Sequence, residues 1–137
     1  MILIDTNVLM YSFGKDHPYR QASTQVLEDV ASEELNANID TEALQEILYV
    51  YSQRGEREWG LRVFDALLRV FPAPLPIARE ETVIARTLMG GYASLHSRDA
   101  VHAAVVLNHG LEAIISADRA FDEISEIKRL DPLELYA

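Results

Sequence analysis

The sequence predicts an α/β fold: a three-layer α/β/α sandwich with a mainly parallel central sheet, built as a single domain over residues 1–137. Three observations predict it. Short apolar runs rich in β-branched residues alternate with amphipathic stretches of helical period, which is the pattern of a parallel sheet wrapped by helices. Two of those runs lead into an acid, Asp5 and Asp118. A chain of 137 residues, 49% apolar and 25% charged, has the size and balance of one globular unit.

The elements follow in order. Ile2-Leu3-Ile4 reads as a buried strand that stops at Asp5 and turns into a helix opening over Asn7 to Tyr11. Gly14 to Pro18 is a loop by its turn residues. From Tyr19 to Ala31, Ala22, Val26, Leu27 and Val30 share one helical stripe. Leu35 to Ile39 alternates apolar residues with Asn as a short strand. Asp40 or Thr41 then caps a helix carrying Leu44, Ile47, Leu48 and Tyr51 inward, ended by Gly55. Trp59, Val63, Ala66, Leu67 and Val70 form the next stripe. Pro72, Pro74 and Pro76 make residues 71–77 an extended connection with an edge strand at its end. Glu80 to Met89 is helical, broken by Gly90-Gly91. Ser97 or His96 caps a helix over Asp99 to Leu107, closed at Asn108-His109-Gly110. Ala113 to Ser116 is a second buried strand running toward Asp118, and Ile127 to Leu130 is the last.

Composition narrows the function. The chain has no cysteine, which excludes a disulfide scaffold, a thiolate zinc site and a cysteine nucleophile. Its apolar runs are too short to span a bilayer, and Met1 to Asp5 lacks a basic leader, so the cytoplasm is the expected compartment. The formal net charge is −10, unfavourable for non-specific phosphate binding; the excess acids form either a solvated face, the commoner arrangement, or a cluster that converges on metal ions. Ten of its twelve cations are Arg, which suits bidentate phosphate contacts.

In parallel sheets, ligands bind beyond the carboxyl ends of the strands. Asp5 and Asp118 fall at two such ends, Asp99 in the first turn of its helix, and Glu42 and Glu46 one helical turn apart near the start of theirs. Taken singly, each has an ordinary structural reading: Asp5 caps a helix, Glu42 and Asp99 complement helix dipoles, and Asp118 caps the short turn after it. Taken together, four or five carboxylates on one rim repel unless cations intervene, and hard oxygen donors suit magnesium or manganese.

Three segments then match a family. Ile-Leu-Ile-Asp-Thr-Asn-Val-Leu at 2–9, Arg-Asp-Ala-Val-His-Ala-Ala at 98–104 and Ile-Ser-Ala-Asp-Arg-Ala-Phe at 115–121 together resemble the PIN-domain ribonucleases, in particular the VapC toxins of toxin–antitoxin pairs. The resemblance runs along essentially the whole chain. It implies a Mg2+- or Mn2+-dependent endonuclease that cuts RNA, with Asp5, Glu46, Asp99 and Asp118 as catalytic metal ligands. Leu44-Gln45-Glu46 resembles the family's pattern better than Thr41-Glu42 does, which places the helix acid on Glu46. Thr6 and Asn7 accompany Asp5, Ser116 and Thr6 orient a carboxylate or touch phosphate, and Asp122 is an auxiliary acid of some members. Arg98 and Arg119 adjoin the acids and become candidates for RNA phosphate contacts. Arg54 and Arg57 either extend that path or pair with Glu56 and Glu58. His102, one turn beyond Asp99 on an Ala-rich helix, packs or supports a neighbour. The same likeness implies a cognate antitoxin that blocks the acidic pocket with a basic side chain, and a homodimer.

Other classes fit less well. A receiver domain shows two adjacent acids after its first strand and a late Lys beside the site, whereas Asp5 has no acidic neighbour. A haloacid-dehalogenase-like phosphatase places a second Asp two residues after the first, where Asn7 stands, and no Gly-rich phosphate loop exists. The competing reading is a catalytically silent PIN-like module that binds RNA or a protein.

Overall fold

The computed structural model describes residues 1–136. Four short strands, β1 (Ile2–Ile4), β2 (Ala37–Asn38), β3 (Ile114–Ile115) and β4 (Arg129–Leu130), form one parallel sheet in the order β2-β1-β3-β4. Leu3 pairs with Asn38 on one side and Ile114 on the other, while Ile4 pairs with Ile115. Because successive side chains alternate across a strand, this register sorts the core into two layers. Ile4 and Ile115 pack with Val8 and Leu9 of α1 (Thr6–Phe13), Val26 of α2 (Arg20–Ala31), Ile47 of α3 (Thr41–Gln53) and Leu67 of α4 (Arg57–Val70). Leu3 and Ile114 pack with Leu88 of α5 (Arg79–Gly91), with Ala100, Ala103 and Ala104 of α6 (Ser97–Asn108), and with Phe121. Sandwich and parallel sheet are as the alternating pattern predicts.

The chain leaves β1 toward β2 and later returns to the opposite side as β3. The sheet therefore has its switch point between β1 and β3, where a crevice opens at the carboxyl ends. Helix α1 starts directly after β1, α3 just after β2, and a 3-10 turn (Arg119–Glu123) just after β3, so helical N-termini gather on that edge.

Three local differences have physical reasons. The Gly90-Gly91 break does not occur, and α5 runs through Gly91 until the Tyr92 N–H bonds to the Leu88 carbonyl. Glycine costs only about 1 kcal/mol in a helix, less than the burial of Leu88 against α6 returns. The edge strand near Ile77 reduces to a single bridge between Leu75 and Asp40. There Leu75 N–H donates to the Ile39 carbonyl (2.9 Å) and the Leu75 carbonyl accepts from Thr41 N–H (2.9 Å), while the flanking prolines have no donors to extend the pairing. A terminal turn outside the predicted elements, α7 (Pro132–Leu135), is capped by Asp131 and started by its proline.

Candidate active site

Asp5, Glu46, Asp99 and Asp118 line one cavity of about 400 Å3 at the carboxyl edge, together with Asn7, Met10, Val50, Arg54, His96 and Arg98. The four acids come from four places in the sequence: the residue after β1, the second turn of α3, the first turn of α6 and the approach to the 3-10 turn. Glu42, half-buried, does not line it, whereas Glu46 does.

The ordinary reading of Asp5 as a helix cap fails, since its side chain makes no capping bond. Asp5 is instead buried, and its Oδ2 accepts from the Ser116 hydroxyl at 2.6 Å. That hydroxyl in turn accepts from Asn7 Nδ2 (3.3 Å) and from the Asp118 N–H (2.9 Å), tying the ends of β1 and β3 together. Asp118 uses one oxygen, Oδ1, to cap the 3-10 turn through Ala120 N–H at 2.9 Å. Asn7 Oδ1 is buried with no hydrogen-bond partner in the protein. Such an acceptor is costly unless a ligand satisfies it.

The charges crowd. Burial, then the charges of Asp5 and Asp118, push the Asp99 carboxyl up to about 6 against partial relief from His102 and His96. Burial likewise raises Asp5, with His102 and Ser116 pulling the other way. Among the described residues, no three acidic or histidine side chains stand close enough together to hold a single ion. Both Glu46 oxygens are engaged, with Oε1 at 2.9 Å from His102 Nε2 and Oε2 at 3.6 Å from Arg98 Nη1. In kind, however, the donors fit a hard cation: carboxylates and an unpartnered amide oxygen around one opening, with neither sulfur nor a free imidazole required.

The family model of the PIN domain matches residues 2–127. The chain belongs to the PIN-domain family. VapC ribonucleases of Mycobacterium bovis and of Mycobacterium tuberculosis, the latter named VapC13, are each 38% identical over 130 residues, spanning 95% of this chain and 99% of theirs. Among solved structures, FitAcB from Neisseria gonorrhoeae superposes with a TM-score of 0.75 at 17% identity, covering 97% of this chain and 99% of that one. VapBC2 from Rickettsia felis, bound to a DNA fragment from its promoter, does so with a TM-score of 0.75 at 19% identity, covering 95% and 98%. At these identities the structural likeness speaks for the fold.

Of the remaining residues singled out in the sequence, Asn7 and Arg98 lie at this PIN domain's cavity and Ser116 bonds directly to one of its acids. Thr6 is buried beneath it, with Oγ1 3.2 Å from His102 Nε2. Asp122 does not line the cavity, and Arg129 holds it through two bonds of 2.9 and 3.1 Å. Arg119 and Arg57 do not line the cavity, whereas Arg54 does.

The residue whose importance sequence reasoning understated is His102. It is buried, and its Nδ1 lies 2.6 Å from Asp40 Oδ2, its Nε2 2.9 Å from Glu46 and 3.6 Å from Asp5. Burial by itself would lower the imidazolium pKa, but the charge and hydrogen bond of Asp40, the bond to Glu46 and the charge of Asp5 outweigh it and hold it well above 6.5. Asp40, read only as a cap, both caps α3 through Ala43 N–H (3.0 Å) and anchors this imidazolium. A carboxylate 62 residues away leaves no mark in the local pattern around His102.

The raised Asp99 pKa has a measurable consequence in the metal-free chain. An acid raised from 3.8 to about 6 on folding binds more protons when folded, so it opposes stability at neutral pH, and that penalty fades as pH falls from about 6 to about 4. Asp99→Asn is therefore expected to melt above the unaltered chain near pH 7, with the gap closing near pH 4. Melting curves that coincide near pH 7 would contradict the crowding.

Proposed function

We propose that this PIN domain is an endoribonuclease that hydrolyses RNA phosphodiester bonds with Mg2+ or Mn2+, acting as one unit of 137 residues and as the toxin of a toxin–antitoxin pair in the cytoplasm. The observation that carries the reading is the convergence of Asp5, Glu46, Asp99 and Asp118 on one strand-end cavity. Full-length likeness to proteins named VapC ribonucleases supports the reaction. A solved toxin–antitoxin complex from Klebsiella pneumoniae, with a TM-score of 0.70, and the Rickettsia felis complex support the partner.

The four acids would hold the metal, which when bound supplies an activated water and stabilises charge on the leaving oxygen. The rest falls to the chain's own groups. Ser116 donates to Asp5 and so fixes which carboxylate oxygen faces the cavity. His102, held by Asp40, positions Glu46 from behind. Arg98, exposed on one wall, contacts the RNA phosphate, and Arg54 extends that contact along the cavity. Arg119 serves as an outer phosphate contact, Thr6 supports His102, and the Asn7 amide oxygen completes the donor set. A basic side chain of the antitoxin, placed among the same acids, would neutralise them and block substrate. We place a homodimer beside this reading as the assembled form of the toxin.

The purified chain is expected to cut single-stranded RNA internally in Mn2+, to stop in excess EDTA, and to resume when Mn2+ is restored. RNA that is bound but never cut in any divalent ion would favour a silent RNA-binding module in place of the enzyme.

A further inference from the structure

A second, larger cavity of about 940 Å3 adjoins the acidic one and shares Asn7, Met10 and Arg54 with it. Its chemistry differs. Aromatic rings line it, from Tyr11 and His17 at the end of α1 and the loop beyond, and from Tyr51 and Trp59 of α3 and α4. Its charged lining is balanced, with Lys15 and Arg54 against Asp16 and Glu56, and Asp16 is engaged by Arg20 at 3.5 Å. The aromatic wall is pre-ordered. Tyr11 and His17 stack with centroids 4.4 Å apart and planes at 16°, and Tyr19 adds to the stack at 5.3 Å from Tyr11. Tyr19 is itself held by its hydroxyl donating to Asp131 at 2.8 Å. The Arg62 guanidinium, outside the lining, lies 5.7 Å from the Trp59 ring centroid, and Trp59 keeps 38% of its surface exposed.

We infer that this cavity receives a nucleobase of the single-stranded RNA next to the phosphate held in the acidic cavity, an inference that rests on the nuclease reading above. An acid-lined, cation-requiring cavity joined to a charge-balanced aromatic one matches the alternation of phosphate and base along a strand. Flat π faces accept any base by stacking, and Arg54, at the junction and over the Tyr51 ring at 5.9 Å, sits where the connecting phosphate must pass. The cavity is roomy enough for a nucleoside with part of its sugar, and its rim residues are the ones that would set any preference for purine or pyrimidine beside the cut.

Trp59 is the chain's one tryptophan, so its emission reports on this cavity directly. The test uses full-length protein carrying Asp99→Asn, in Mg2+, so that a labelled single-stranded RNA of about six nucleotides stays whole. Binding is followed by RNA anisotropy and by Trp59 fluorescence together. Quenching on RNA binding is expected, absent when the RNA is abasic throughout. Trp59→Ala is expected to weaken binding about tenfold, with Trp59→Phe recovering most of it. In the Asp99 background without that change, Trp59→Ala should raise KM by a similar factor and leave kcat unaltered. RNA that binds without altering Trp59 emission, and binds Trp59→Ala as tightly, overturns the inference and leaves the cavity to a protein partner. Cleavage by the unaltered chain in Mn2+ is measured alongside: cleavage with a silent Trp59 defeats the base site alone, whereas quenching without cleavage defeats the nuclease reading and keeps the base site.

Discussion

Asp5→Asn is expected to give a folded chain whose RNA cleavage in Mn2+ falls by about a thousandfold. The size follows from the chemistry asked of the cavity. A metal's stabilisation of transition-state charge amounts to several kcal/mol, and each ~1.4 kcal/mol is a factor of ten in rate. Asparagine keeps the volume of the buried carboxylate, and its amide oxygen still accepts from Ser116, so the tie between β1 and β3 survives. Only the negative charge is lost. Because burial already opposes that charge, the variant should be no less stable than the unaltered chain. The comparison is therefore cleavage rate against melting temperature on the same samples. A variant that cuts RNA at more than about a tenth of the normal rate would remove Asp5 from the catalytic set.

The largest stability effect belongs to His102, away from the cavity's mouth. His102→Leu is expected to destabilise the metal-free chain by about 3–5 kcal/mol, because it strands the fully buried Asp40 and the nearly buried Glu46 without their shared cation. That is a large part of the 5–15 kcal/mol by which a domain of this size is stable. The pH dependence distinguishes this from a packing defect. A histidine whose folded pKa lies above 6.5 contributes fully below that value, and its contribution is lost as pH rises through the folded pKa. The gap between the two proteins in urea unfolding should thus be widest in mildly acidic buffer and shrink in alkaline buffer. A constant gap would point to lost volume alone. Asp40→Asn, with nearly unchanged shape, should reproduce part of the loss and serves as the milder check.

What the sequence revealed follows from how local each signal is. β1 and β3 were legible because Ile2 to Ile4 and Ala113 to Ile115 are apolar on both faces, and both close on the edge where a parallel sheet binds ligands. Asp5, Asp99 and Asp118 were legible as a group for the same reason, since strand ends and helix starts share an edge in this topology. The preference for Glu46 over Glu42 comes from family likeness, and in the fold it is Glu46 that meets His102 of α6 and lines the cavity. Other features depended on contacts that periodicity does not carry. The Asp40–His102 pair joins residues far apart in sequence, and the capture of Asp122 by Arg129 depends on β4 lying beside β3. The aromatic cavity was hidden because Tyr11 and Trp59 each read as an ordinary position on its own amphipathic helix.

All of these expectations descend from one claim, that Asp5, Asp99 and Asp118 act together on a divalent cation beside the switch point of the sheet. Calorimetric titration of Mn2+ into the full-length chain tests it most directly, with Asp5→Asn and Asp99→Asn titrated in parallel. Saturable binding by the unaltered chain, weakened at least about tenfold in either variant, is the predicted result. Binding that is undiminished in both variants, or no binding to the unaltered chain at all, would contradict the account.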